Sequence, residues 1–209
     1  MGIWMLILDH IAICCADLAE GAAWAEEQLG VPLLPGGQHA RYGTHNRLLG
    51  LGEGLYLEVI AADPAAKPTG PRWFGLDRFS GPPRLGNWIC ATKDLNAALD
   101  FAPQEAGQAV DLARGALRWK ISVPEDGSLP FDGGFPTLIE WGEGSPHPSR
   151  SLGSSGVRLD RWIVRHPRAT DISALLGGRL EDPRVTFETA ETAGFVAVFD
   201  TPSGQRVLS

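Results

Sequence analysis

The chain has 209 residues, 44 % of them hydrophobic and 21 % charged, and its 18 Lys and Arg stand against 25 Asp and Glu for a net charge of −7. This is globular composition, and a chain of this length buries roughly 70 % of its unfolded surface without a covalent staple. The acidic balance and the lack of a basic run exclude nucleic acid and anionic membranes as expected partners.

The three cysteines, Cys14, Cys15 and Cys90, have no CxxC spacing, which argues against a disulfide framework and a thiolate zinc site. The apolar run at 3–8 is interrupted by Asp9 and His10 and lacks the basic flank of a signal peptide. Met1-Gly2 suggests myristoylation, but Leu6 stands where Ser or Thr is expected. A soluble cytoplasmic protein is the expectation.

Three segments begin alike: Leu8-Asp9-His10-Ile11, Leu85-Gly86-Asn87-Trp88 and Leu159-Asp160-Arg161-Trp162. Each reads as a β-rich strand. The first two are followed at equal distance by Asp17-Leu18 and Asp94-Leu95, where the aspartate is placed to cap an alanine-rich helix. The first helix is expected to stop at Gly30. The second is expected to stop near Gly107, bent or shortened by Pro103. Strands are predicted at 35–40, 44–51 and 55–61 after the first helix, and at 110–113, 117–123 and 136–141 after the second. The pattern is β-α-β-β-β, twice. It gives a first module over 1–62, a Pro/Gly-rich linker over 63–84 and a second module over 85–148. Residues 157–209 form a partial third module, with strands at 158–164, 185–190 and 195–199 and a helix at 171–176.

Strand alternation places side chains two apart on one face. On the first strand His10 then shares a face with Leu8 and Ala12, and on the fourth Glu58 shares one with Tyr56 and Ile60. By the repeat, Asn87 stands at the place of His10 and Glu140 at that of Glu58. A glutamate inside an apolar strand needs a partner, because an unpaired buried charge costs several kcal/mol. One imidazole and two carboxylates, His10, Glu58 and Glu140, form a mixed N/O set suited to Mn, Fe, Ni or Zn with positions left for substrate. A buried His bonded to a neighbouring Glu would give the same pattern, so that reading stays open. His45 is a candidate second nitrogen ligand or acid/base group, or an ordinary strand-end histidine. His147, just after the last strand, is a candidate to return toward the pocket mouth. Arg47 is expected opposite Glu58. Arg47, Arg118 and Lys120 are candidates to balance the acids or hold an anionic substrate. Trp88 and Trp141 fall opposite Asn87 and Glu140 and read as packing.

These residues together resemble the vicinal oxygen chelate superfamily and, within it, glyoxalase-like families. The resemblance rests on Leu8-Asp9-His10-Ile11, Asp17-Leu18, Gly43-Thr44-His45-Asn46, Leu55-Tyr56-Leu57-Glu58 and Ile139-Glu140-Trp141. It covers about residues 6 to 148. It implies an α+β fold in which two βαβββ modules form a partly open, eight-stranded, barrel-like sheet. It also implies a divalent metal held by His10, Glu58 and Glu140, with Asn87, a weak neutral donor, in the remaining place. The expected function is a metal-dependent lyase, isomerase or dioxygenase acting on a small oxygen-bearing substrate through an enolate-like intermediate. In that reading His45 or Glu140 is the catalytic acid/base, and Asn46, Arg47, Asn87 and Arg118 touch substrate. The alternative from another class is a metal-free protein that sequesters a small molecule or drug in the same cleft. A purely structural reading pairs the carboxylates with Arg47 and Arg118. The C-terminal extension is expected to cover a sheet edge or to serve a homodimer contact.

Overall fold

The computed structural model describes residues 5–209. The Met1-Gly2 start and the first two residues of the 3–8 apolar run lie outside the described residues. The first module runs β1 (Ile7–Cys15), α1 (Leu18–Leu29), β2 (Leu34–His39), β3 (Thr44–Gly50) and β4 (Tyr56–Ala62). The second repeats this order as β5 (Arg84–Ala91), α2 (Leu95–Leu99), β6 (Gln108–Arg114), β7 (Leu117–Val123) and β8 (Thr137–Trp141).

The capping chemistry read from sequence forms both helix starts. Asp17 Oδ1 accepts from the N–H groups of Ala19 and Glu20 at 2.8 and 2.9 Å, and Gly30 closes α1 in the left-handed region at φ 71°. Gly21, Ala22, Ala25 and Leu29 form the buried stripe of α1. A Cβ at Gly21 would stand 2.3 Å from Cys15 Sγ, so only glycine lets the helix sit this close to β1. Asp17→Ala removes the cap and is expected to lower stability by about 1 kcal/mol, read as a shifted urea midpoint at unchanged slope. Helix α2 is much shorter than α1, ending well before Pro103.

The eight strands form one sheet in the order β2-β3-β4-β1-β5-β8-β7-β6. Each module's first and last strands are parallel, and the modules join where β1 and β5 run antiparallel. The sheet curls until its two edges meet: the Arg114 guanidinium at the end of β6 lies 3.0 Å from His39 Nε2 at the end of β2. The convex face carries α1 and α2 over an apolar core containing Leu8, Ile11, Ile13, Leu57, Val59 and Trp88.

Two β-bulges punctuate the β1–β5 seam, one at Asp9 and one at Gly86, where one strand skips a partner. The bulge at Asp9 changes the alternation expected from sequence. Leu8 goes to the helix-side core, while His10 and Ala12 face the concave side. An extra residue in one strand re-aims the side chains that come after it.

The 63–84 segment is more than a connector. Its Trp73, Phe74 and Leu76 are buried in the concave face against Ala12, Ile60, Ile89 and Ile121. Tyr42, Trp73 and Phe74 stack in series, with centroids 4.4 and 5.0 Å apart. Arg72 pins the segment, donating from Nε to the Gly43 carbonyl at 3.1 Å and from its guanidinium to Asp77 at 2.8 Å.

The C-terminal unit, β9 (Arg158–His166), α3 (Ala169–Leu176), β10 (Val185–Thr189), β11 (Gly194–Thr201) and β12 (Gly204–Leu208), has the same element order but another strand order, β10-β9-β11-β12. Its first strand pairs in parallel with its second, not with its last. Trp162, Phe195 and Phe199 join the convex-side core, so the unit shares one apolar interior with the modules. Strand β12 carries too weak a pattern to be expected from sequence. Its five residues, Gly-Gln-Arg-Val-Leu, include two apolar side chains, and only Leu208 is buried.

Candidate functional site

A small cavity opens on the concave face of the first module, lined by His10, His39, Asn46, Tyr56, Glu58, Trp73, Arg114 and Trp141 among others. Its volume of about 40 Å³ gives room for about three waters.

At its centre His10 Nε2 faces Glu58 Oε2 at 3.8 Å. Both side chains are almost fully buried. The other ring nitrogen, Nδ1, donates to Asp9 Oδ1 at 2.6 Å, and Tyr56 stacks on the ring with centroids 4.4 Å apart. Asn46 donates to Glu58 Oε1 at 2.5 Å and accepts from the Gly37 N–H at 2.7 Å. Glu58 therefore has one oxygen held by an amide and the other aimed at the imidazole.

Asp9 is the hub behind His10. Its second oxygen accepts from Trp141 Nε1 at 2.9 Å and from His147 Nε2 at 3.0 Å. Burial acts to raise its carboxyl, but the hydrogen bonds and charges of His10 and His147 outweigh burial and hold it well below the usual carboxylate range. His147 thus returns to the site from the loop after β8.

On the rim, burial first and the Arg114 charge second push His39 down to about 3, so its ring is neutral near pH 7. The neutral ring accepts at Nε2 from Arg114, and its Nδ1–H donates to Thr44 Oγ1 at 3.0 Å. Thr44 Oγ1 also accepts from Trp73 Nε1 at 3.1 Å, which ties the 63–84 segment to the site.

Of the residues predicted for the site, the structure brings together His10, Glu58 and Asn46. Glu140 lies on the other face of β8. There its Oε2 accepts from the Leu95 N–H at 2.8 Å, capping α2, and its Oε1 meets Lys120 Nζ at 3.3 Å. His45 and Arg47 alternate with Thr44, Asn46 and Leu48 and so point away from the cavity. His45 Nε2 is shut from solvent without a hydrogen-bond partner, and Arg47 is exposed. Arg118 is exposed and donates to the carbonyls of Gly115 and Leu117. Asn87 is fully buried; its amide donates to Thr137 Oγ1 at 2.9 Å and its carbonyl accepts from the Trp88 N–H at 2.8 Å.

These positions decide how the donor set fits a divalent ion. His10 Nε2 and Glu58 Oε2 could hold one side of it. The second module supplies no other side. Asn87 and Thr137 spend their polar atoms on each other and on the backbone, and their neighbours facing the cleft are Ile89 and Ile139. Among the described residues no group of three or more His, Cys, Asp and Glu is arranged to hold an ion. The expected set of His10, Glu58 and Glu140 is not assembled, and the residues present do not fit a family-type metal shell.

Asp9, His39, Tyr56 and Arg114 complete the site beyond the residues singled out from sequence, and Trp141, expected only to pack, lines the cavity and donates to Asp9. One local signal was available for the rim. Gly36-Gly37 leaves space that side chains would fill, since a Cβ at Gly36 would lie 2.0 Å from Asn46 Oδ1 and one at Gly37 2.7 Å from the Arg114 guanidinium. Two adjacent glycines in a strand mark a close approach.

A curled sheet of paired βαβββ modules with a His/Glu pair on its concave face has the build of a vicinal oxygen chelate protein. A model of the glyoxalase-like domain matches residues 8–179, and the chain belongs to that family. A hypothetical protein from Staphylococcus aureus, 16 % identical, superposes over 92 % of this chain and 88 % of its own with a TM-score of 0.62, which supports the fold. Methylmalonyl-CoA epimerase from Mycobacterium tuberculosis, 19 % identical, is matched over 70 % of this chain and 91 % of its own with a TM-score of 0.44. No curated protein sequence matches. Among the described residues no helix is long and apolar enough to cross a membrane.

Proposed function

We propose that the chain is a glyoxalase-like enzyme that moves a proton on a small carbonyl-bearing substrate, with His10 and Glu58 as the proton-handling pair. The observation that supports this reading is a buried carboxylate facing, at 3.8 Å, the free nitrogen of an imidazole whose other nitrogen is tied to Asp9. Asp9 fixes the Nδ1–H tautomer, so Nε2 is left to accept a proton. Asn46 holds Oε1 of Glu58 and leaves Oε2 for the reaction.

A proton leaving the carbon beside a carbonyl passes to Glu58 Oε2 or His10 Nε2. The electron pair left behind spreads to the carbonyl oxygen as an enolate. Asp9 offsets the positive charge that a proton on Nε2 leaves on the ring. Return of the proton to carbon completes the exchange. The cavity's size limits the reacting part of the substrate to a few heavy atoms. No step passes through a metal, because the donor set does not close around one.

Proton NMR in D2O tests this with pyruvate and dihydroxyacetone, beside elemental analysis for Mn, Fe, Ni and Zn. The expected result is enzyme-dependent loss of the C–H signal next to the carbonyl, unaffected by chelator. Exchange that appears only with added metal and stops on chelation would restore the metalloenzyme reading. The alternative is sequestration without turnover, supported by a lining of Tyr56, Trp73, Trp141 and Asn46 that offers ring faces and an amide to a small molecule. Ligand-dependent thermal stabilisation with no exchange would establish it.

A further inference from the structure

Arg114 is a cation on the rim of the site with no part in the proton transfer. It ends β6, on the second module, yet lines the same cavity as His10 and Glu58 of the first. Among the described residues it meets no carboxylate at ion-pair distance, although the chain's acidic residues outnumber its basic ones. Its neighbour is the neutral His39, which accepts one of its N–H groups at 3.0 Å and fixes where the guanidinium sits. Gly37 presents bare backbone beneath it, so no side chain competes for that space. His39 is itself held by Thr44, and Thr44 by Trp73. A three-link chain of hydrogen bonds therefore orients a guanidinium whose remaining N–H groups have no acidic partner.

Resting on the proton-transfer reading above, we infer that Arg114 is a carboxylate subsite and that the substrate is a small carbonyl compound bearing a carboxylate, of the 2-oxo acid class. A planar guanidinium offers paired N–H donors that match the two oxygens of a carboxylate, and charge-assisted bonds of this kind are about twice as strong as neutral ones. The second module then supplies the anchor and the first supplies the proton-handling pair. A substrate gripped by its carboxylate at the rim presents its carbonyl end to His10 and Glu58 deeper in the cavity. Carboxylate and carbonyl stand on adjacent carbons in this class, which suits a cavity of a few heavy atoms.

The test separates binding from turnover. Titration calorimetry compares pyruvate with pyruvamide, its neutral counterpart, in the wild-type protein, Arg114→Met and Arg114→Lys. The same titrations in Glu58→Gln read the subsite without catalysis. Pyruvate is expected to bind at least 10-fold more tightly than pyruvamide in the wild-type protein and in Glu58→Gln. Arg114→Met is expected to abolish the preference, and Arg114→Lys to keep part of it, because the charge remains while the paired donors are lost. A preference that survives Arg114→Met, or a wild-type protein that binds the two equally or binds neither, overturns the subsite. Pyruvate preference without C–H exchange would leave the subsite standing and sink the proton-transfer reading. Exchange without preference would do the opposite. Arg114→Lys also covers the case in which Arg114→Met loosens the β2–β6 closure, since a purely structural contact would show no dependence on ligand charge.

Discussion

Glu58→Gln lowers the rate of carbon–hydrogen exchange by about 10²–10⁴-fold, the range expected for removing a positioned acid/base group, with little change in KM. The side chain keeps its size, and its amide oxygen still accepts from Asn46. The group then facing His10 Nε2 is an NH2 that cannot take a proton. His10→Asn is expected to cost a similar factor. The double variant should fall little below either single one, because groups that act as a unit are strongly non-additive. A Glu58→Gln protein with wild-type exchange would remove Glu58 from the chemistry. An equal loss of both substrate binding and rate would make it a binding group instead.

Asp9→Ala carries the second large effect, this time on stability. The carboxylate holds His10 Nδ1, Trp141 Nε1 and His147 Nε2 in a site where Asp9 is only 2 % exposed. Removing it strands three donors, two of them on rings packed against the cavity. Hydrogen bonds to a charged group contribute about 1.5–3 kcal/mol each, and urea unfolding should show a loss of at least about 3 kcal/mol. The pH dependence comes from the depressed carboxyl. A group whose folded pKa lies below its unfolded one contributes its stabilisation fully above the usual carboxylate range and loses it as the pH falls through the folded value. The wild-type protein should therefore lose stability progressively below about pH 4, and Asp9→Ala should show a shallower acid limb. A loss under about 1 kcal/mol with an unchanged acid limb would mean that Asp9 is dispensable as a hub.

The paired modules and the place of His10 and Glu58 were legible because they depend on local features: capping aspartates, matched spacings and a carboxylate inside an apolar strand. Register was not. Sequence placed Arg47 opposite Glu58, but the hairpin pairs Leu48 with Glu58. A slip of one residue sends each side chain to the other face, which is why Asn46 enters the site and His45 leaves it. Glu140 failed by the same rule. Ala12 and Ile89 are repeat-equivalent; Ala12 pairs with Glu58 and Ile89 with Thr137, so the true counterpart of Glu58 is Thr137, three residues before Glu140. An odd offset reverses the face. The meeting of His39 and Arg114 depends on how far an eight-stranded sheet curls; Gly36-Gly37 in β2 marks a close approach there, but nothing local says which residue approaches. Asp9 was hidden for a related reason, since a bulge depends on pairing with another strand.

The stretch between the modules has a consequence for how such a protein can be taken apart. Trp73 reaches the rim through Thr44, and Phe74 holds a left-handed backbone at φ 58° to stay in the concave face. A non-glycine residue in that region costs about 1–2 kcal/mol, which the burial around it must offset. Part of the cavity wall, Trp73 and Phe74, is therefore made of residues that covalently join the halves. Two separate half-length chains could rebuild the strand order of the large sheet, but the segment carrying Trp73 and Phe74 would then be tethered at one end only. The shape offered to a substrate belongs to the fused chain rather than to either repeat, and the connecting residues are under the same constraint as the strands they link.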